Sequence, residues 1–152
     1  MIRCTPRGLF SWTFDLEGEG HRATTECNFF GEQGTIVADG VSFTVTKHGL
    51  GSGHWTLERG REVVVDAQKT SPLTRTFELR SPMGALVLRA ESAFCRTFLL
   101  ERGGALAATI RPEHMFTRRS TIETRAEDLD WPTLCVSFWL AALTWRRAAR
   151  RD

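Results

Sequence analysis

Asp130-Trp-Pro-Thr-Leu-Cys-Val-Ser-Phe-Trp-Leu-Ala-Ala-Leu-Thr-Trp145, closed by Arg146-Arg-Ala-Ala-Arg-Arg-Asp152, is the stretch whose placement decides the fold. Its start is marked as a helix. Asp130 is a good N-cap, and Pro132 suits a first turn, where its missing N–H costs nothing. The arginines that follow complement the negative end of the helix dipole. Between Asp130 and Arg146 stand 15 uncharged residues, about 22 Å at roughly 1.5 Å per residue. A bilayer core of about 30 Å asks for about 20, so length favours a buried helix over a membrane span. Leu134, Val136, Phe138, Trp139, Leu140 and Leu143, with Trp145, cover the whole circumference, and such a helix must be surrounded on all sides. Ser137 and Thr144 tolerate that burial if their hydroxyls bond back to the preceding turn.

What surrounds it is read from the body. Three stretches align at a period of 21 or 22 residues: Trp55-Thr-Leu-Glu-Arg-Gly60 returning as Val63-Val-Val-Asp-Ala67; Phe77-Glu-Leu-Arg-Ser-Pro-Met-Gly84 returning as Leu86-Val-Leu-Arg-Ala90; and Phe98-Leu-Leu-Glu-Arg-Gly-Gly104 returning as Leu106-Ala-Ala-Thr-Ile110. Each is an aromatic-led strand, a glycine-bearing turn and an aliphatic strand, which makes a β-hairpin. Alternation at 77 and 79, and at 86, 88 and 90, gives one buried and one wet face. The same rule covers 9–16, 35–37 and 41–46, and with 21–28 and 120–124 the count reaches ten to twelve strands. A meander of that size removes its edges by closing on itself. About eleven strands leave room for a central helix. The expected fold is therefore mainly β, a single domain over 1–152: a closed antiparallel barrel with strands from about 8 to 125 around a hydrophobic helix over about 131–150.

Composition narrows the partners. The net charge is +2, but the last seven residues contribute four Arg and one Asp; the other 145 hold 16 basic and 17 acidic groups, a net of −1. A nucleic-acid surface is not expected from such a body. The terminal cluster Arg146, Arg147, Arg150 and Arg151 is suited to anionic lipid headgroups, or simply to solvent at a dipole-matched helix end. No apolar run follows Met1-Ile-Arg-Cys-Thr-Pro-Arg7, so a cytoplasmic protein is expected, peripheral to a membrane if the basic end touches one. Cys4, Cys27, Cys95 and Cys135 are scattered, which suits reduced thiols and not a disulfide framework or a metal knot.

The repeated hairpins, Asp66-Ala-Gln-Lys69 followed by Phe77-Glu-Leu79, and the segment from Trp131 to Arg151 resemble the tubby C-terminal-like superfamily, within it the LURP-one-related and phospholipid scramblase group. The resemblance covers about residues 40–151 and implies a twelve-stranded barrel around a hydrophobic C-terminal helix. For activity it implies phosphoinositide headgroup binding through exposed basic residues, or membrane and calcium association. Scramblase hallmarks are missing here: there is no proline-rich N-terminal region and no run of neighbouring cysteines, and Asp128 and Asp130 have too few oxygen neighbours for a calcium loop.

Few residues suggest chemistry. Arg118-Arg119 is the other adjacent basic pair, a double guanidinium fork that holds phosphate bidentately if it is free. His21, His48, His54 and His114 lack metal-ligand spacing. Gly49-Leu-Gly-Ser-Gly53 precedes a strand and lacks the Lys-Ser/Thr ending of a phosphate loop, so it reads as a hairpin connection. No nucleophile elbow is present. The expectation is a non-enzymatic binding or scaffold module without a cofactor, for anionic phospholipid headgroups or a protein partner. The alternatives are a tail-anchored membrane protein with a cytoplasmic β domain, a scramblase-like activity, which is disfavoured, and an enzyme with a pocket at the barrel mouth.

Overall fold

The structure, a computed structural model, describes residues 1–28 and 30–151. Twelve strands run in chain order, β1 Ile2–Pro6, β2 Thr13–Gly18, β3 His21–Cys27, β4 Gly34–Ala38, β5 Val41–His48, β6 His54–Arg59, β7 Glu62–Lys69, β8 Thr76–Ser81, β9 Gly84–Ala90, β10 Phe98–Arg102, β11 Ala105–Pro112 and β12 Ser120–Thr124. Helix α1, Trp131–Arg151, follows them. Every strand pairs antiparallel with its sequence neighbours, and β1 closes the barrel against β12 through Ile2 opposite Ile122 and Cys4 opposite Ser120.

The three aligned repeats are the hairpins β6–β7, β8–β9 and β10–β11. Two of them share the string Leu-Glu-Arg-Gly, at 57–60 and 100–103, and both carry a register shift immediately after that leucine. Both strings end on a glycine in the left-handed region, Gly60 at φ 60° and Gly103 at φ 59°. Identical local sequence thus produces an identical bulge and turn, the device by which a sheet gains curvature.

Helix α1 fills the barrel. From Thr133 to Leu143 every residue is buried, three full turns without a wet face, so the helix is enclosed on all sides. Phe14, Trp55, Phe77, Phe98 and Leu88 point inward from the wall onto the same core. Phe138 meets Phe14 edge-on at 5.0 Å and Trp145 at 6.0 Å. The indole N–H groups are satisfied by wall carbonyls: Trp131 donates to Arg22 O (3.1 Å), Trp139 to Glu26 O (3.0 Å) and Trp145 to Arg96 O (2.9 Å). Eight helical residues rise about 12 Å and four strand residues about 13 Å, so α1 runs beside β3 in the same direction. At its start Asp130 Oδ2 accepts from Thr133 N (3.1 Å) and Thr133 Oγ1 (2.5 Å). Ser137 donates to Thr133 O (2.8 Å) and Thr144 to Leu140 O (3.0 Å), the back-bonds that make their burial tolerable. Among the described residues no helix is long and apolar enough to cross a membrane.

Two local features differ from the sequence reading. β1 lies ahead of residue 8: with only Ile2 and Cys4 in alternation before Pro6, its pattern is too short to register, yet it is the strand that closes the barrel. The stretch from Leu9 to Leu16 is a strand only from Thr13, because Ser11 Oγ accepts from Thr13 N (3.0 Å) and Arg7 N donates to Thr13 O (2.8 Å), tying 7–12 into a loop.

Candidate functional site

The meander gives the barrel two unlike ends. At one end five strand pairs turn in two residues, 19–20, 39–40, 60–61, 82–83 and 103–104, and segment 125–130 leads into the helix start. At the other, six loops of five to seven residues, 7–12, 28–33, 49–53, 70–75, 91–97 and 113–119, surround the helix end. Their charges differ in sign. The six loops and residues 146–151 hold nine Arg and three Glu, a net of +6, whereas the tight turns and 125–130 hold two Arg and five Asp or Glu, a net of −3.

The arginines expected to face a ligand divide at the loop end. Arg146, expected in solvent, is only 3% exposed: its guanidinium donates to Asn28 O (2.7 Å) and Gly31 O (2.6 Å), pinning the β3–β4 loop. Arg118 is likewise engaged, donating to the carbonyls of Gly8 (2.8 Å), Leu9 and Ser11 and standing over the Trp12 ring. Arg119 is exposed beside it, and Arg150 and Arg151 are exposed on the last turn of α1. Arg147 forms a fork to Glu32, whose Oε1 also accepts from Lys47 Nζ (2.6 Å). The backbone carbonyl of Glu32 takes the Trp55 indole N–H (2.9 Å), and both cations lie 5.5 Å from the centroid of that ring. Burial opposes the charge on Glu32, but the hydrogen bonds from Arg147 and Lys47 outweigh it and hold the carboxyl down at about 2.

Beyond this knot lies a cleft of about 490 Å³ between the β7–β8 loop, the β9–β10 loop and the end of α1, lined by Lys69, Arg75, Thr74, Ser92, Arg147 and Arg151. An adjoining hollow of about 400 Å³ shares Lys69, Pro72, Arg147 and Arg151 and adds Lys47 and the Gly51–Gly53 backbone. Among the described residues, neither is lined by a carboxylate. Burial, then the charges of Arg147 and Arg151, disfavours the Lys69 ammonium and lowers its pKa, with Glu32 opposing only weakly. Sequence reading alone does not single out Lys69 or Arg75. Lys69 ends the Asp66-Ala-Gln-Lys string, so the only signal is a lysine at a strand end, and barrel closure alone brings it to α1.

Other groups are accounted for locally. Asp128 accepts a bidentate pair from Arg102 (2.9 and 3.1 Å), and Asp130 caps the helix. The rings of His48 and His54 lie tilted at 33° with centroids 4.7 Å apart on the outer wall, His54 against Asp66 (2.9 Å) and His48 against Thr56 (2.6 Å). Cys4 and Cys135 are buried, and burial pushes both thiols up. Among the described residues no group of three or more His, Cys, Asp or Glu is placed to hold a metal ion. No family model, curated protein or solved structure matches this chain.

Proposed function

We propose that the protein is a non-enzymatic binding module whose loop-end cleft takes a phosphate-bearing ligand. The observation that carries the reading is the convergence of Lys69, Arg75, Arg147 and Arg151 on a cleft that no carboxylate lines among the described residues. Burial and, after it, the charges of Arg147 and Arg151 disfavour the Lys69 ammonium, and an anion in the cleft relieves the repulsive part of that cost. Arg147 already has its orientation set by Glu32 and Trp55, so one guanidinium enters the site without first being ordered. Thr74 and Ser92 add polar groups along the walls. Membership of the tubby-like superfamily is part of the same proposal: the barrel around an apolar helix is what that resemblance implies, and a phosphorylated headgroup is the ligand class it implies.

The test is calorimetric titration of the full chain with inositol 1,4,5-trisphosphate at two salt concentrations. Binding that weakens with salt and falls at least about tenfold in a Lys69→Ala/Arg151→Ala variant supports the cleft, since charge-assisted hydrogen bonds contribute on that order. Unchanged affinity in the variant, or no heat at either salt, overturns it.

A further inference from the structure

The loop end also carries apolar side chains for which the barrel has no use. Phe10 is 92% exposed, Leu50 103%, Leu73 95%, Phe94 100% and Phe116 93%, one from each of five loops. Leu9 and Met115 stand beside two of them at 85% and 77%. The remaining large apolar side chains exposed away from this end, Met1, Val37 and Val63, are 39–57% exposed. Single exposed hydrophobics are ordinary. Their segregation to the tips of loops on one end, with none on the tight turns opposite, is not what random scatter produces.

We infer that this end docks on an anionic bilayer, with the tips of the loops inserted at the headgroup–acyl boundary and the barrel axis standing off the surface. The inference rests on the preceding reading only in making the cleft's phosphate that of a lipid; the apolar ring stands independently of it. Charge sets the orientation. The loop end at +6 is drawn to an anionic surface and the opposite end at −3 is repelled. Apolar tips surrounded by arginines match an interface in which the acyl boundary lies just beneath phosphate. Geometry favours a bilayer over a protein. The tips rise from separate loops around a rim instead of forming one flat patch, and a fluid interface conforms to scattered protrusions, whereas a protein partner must supply a matching pocket for each. Depth is limited to the side chains, because loop backbone groups need water or headgroups to satisfy them. Leu73 lines the cleft itself, so insertion of this tip places the cleft mouth at phosphate level.

The full chain is sedimented with vesicles of phosphatidylcholine alone and of phosphatidylcholine with phosphatidylserine, alongside Phe94→Ser/Phe116→Ser, whose thermal melting shows that it folds. Binding is expected to the phosphatidylserine vesicles, with a partition coefficient reduced about a hundredfold in the double variant, about tenfold per tip. The variant's affinity for soluble inositol trisphosphate is expected to be unchanged. A Phe94→Trp chain is expected to be quenched by lipids brominated near the headgroup end of the acyl chain, well beyond the quenching of the wild type. A wild type that stays in the supernatant with every vesicle overturns the docking and leaves the surface to a protein partner, while the trisphosphate titration decides the cleft separately. Sedimentation unaffected by the two serine substitutions, or a Phe94→Trp chain quenched no more than the wild type, also overturns it.

Discussion

Replacing Trp139 tests the enclosure of the helix most directly. The side chain is 2% exposed, and its indole N–H reaches Glu26 O at 3.0 Å on the strand that runs beside α1. Gly34 makes this approach possible: a Cβ there would collide with the Glu26 carbonyl and lie 3.0 Å from the Trp139 nitrogen. Trp139→Ala removes a large buried ring, worth about 3–5 kcal/mol. It also takes the indole donor away from the Glu26 carbonyl, at about 1–3 kcal/mol where water does not enter. A total of about 4–8 kcal/mol is a large share of the stability of an ordinary domain, about 5–15 kcal/mol. Trp139→Phe keeps most of the volume and isolates the hydrogen bond, so its expected loss is about 1–3 kcal/mol. Equilibrium unfolding in guanidinium chloride, followed by circular dichroism, measures both. A loss below about 1 kcal/mol for Trp139→Ala, with an unchanged denaturant slope, would mean that the ring is not enclosed and that the barrel does not depend on its helix.

Further outcomes are expected elsewhere. The folded-state pKa of Glu32, about 2 against an ordinary value of 4.5, lies below that of the unfolded chain, so its contribution is complete above pH 4.5 and is lost as pH falls from there towards 2; Glu32→Gln flattens this part of the stability profile in acid titration. Arg118→Ala frees the carbonyls of Gly8, Leu9 and Ser11, and hydrogen exchange over 7–12 should quicken while the β-strand core stays protected. In native protein a thiol reagent should modify Cys95 first, since burial raises its pKa but the hydrogen bonds with Ser92 and Thr97 together outweigh that and lower it. Cys27, pushed up to about 11 chiefly by burial, should react slowly, and Cys4 and Cys135 only on unfolding. Equal reaction of all four in the folded state would contradict the packing.

The fold was legible where the sequence repeats a period. Alternation in the Phe77 and Leu86 strands set their faces, a glycine in each repeat marked its turn, and the absence of a polar stripe on 134–145 put that helix inside. Hydroxyl back-bonding by Ser137 and Thr144 followed from burial alone. β1 was missed because two alternating residues are below the noise, while its role depends on β12, whose residues stand 116 to 120 positions further along (Cys4 with Ser120, Ile2 with Ile122). Phe10 continued a period-two pattern in frame with Trp12 and Phe14, and only the turn built on Ser11 and Arg7 shows that it leaves the strand. The site was half visible. Arg147 and Arg151 announce themselves as a basic cluster, but Arg146 beside them points the other way, into carbonyls of the β3–β4 loop. Lys69 and Arg75 acquire meaning only when ring closure carries them to the helix end, a convergence that short-range pattern does not encode.

The order of elements along the chain has a consequence for synthesis. The segment at the centre of the barrel is made after all twelve strands of the wall, and the pair that seals the ring, β1 with β12, joins the first strand to the last. A growing chain therefore accumulates strands whose inner faces have nothing to pack against until α1 leaves the ribosome. Local hairpins form early, yet the ring cannot shut productively before its contents arrive, and a premature closure would have to reopen. Such late, non-local completion predicts slow folding and a nascent state that depends on protection from aggregation, in a protein whose finished form hides almost all of that apolar surface.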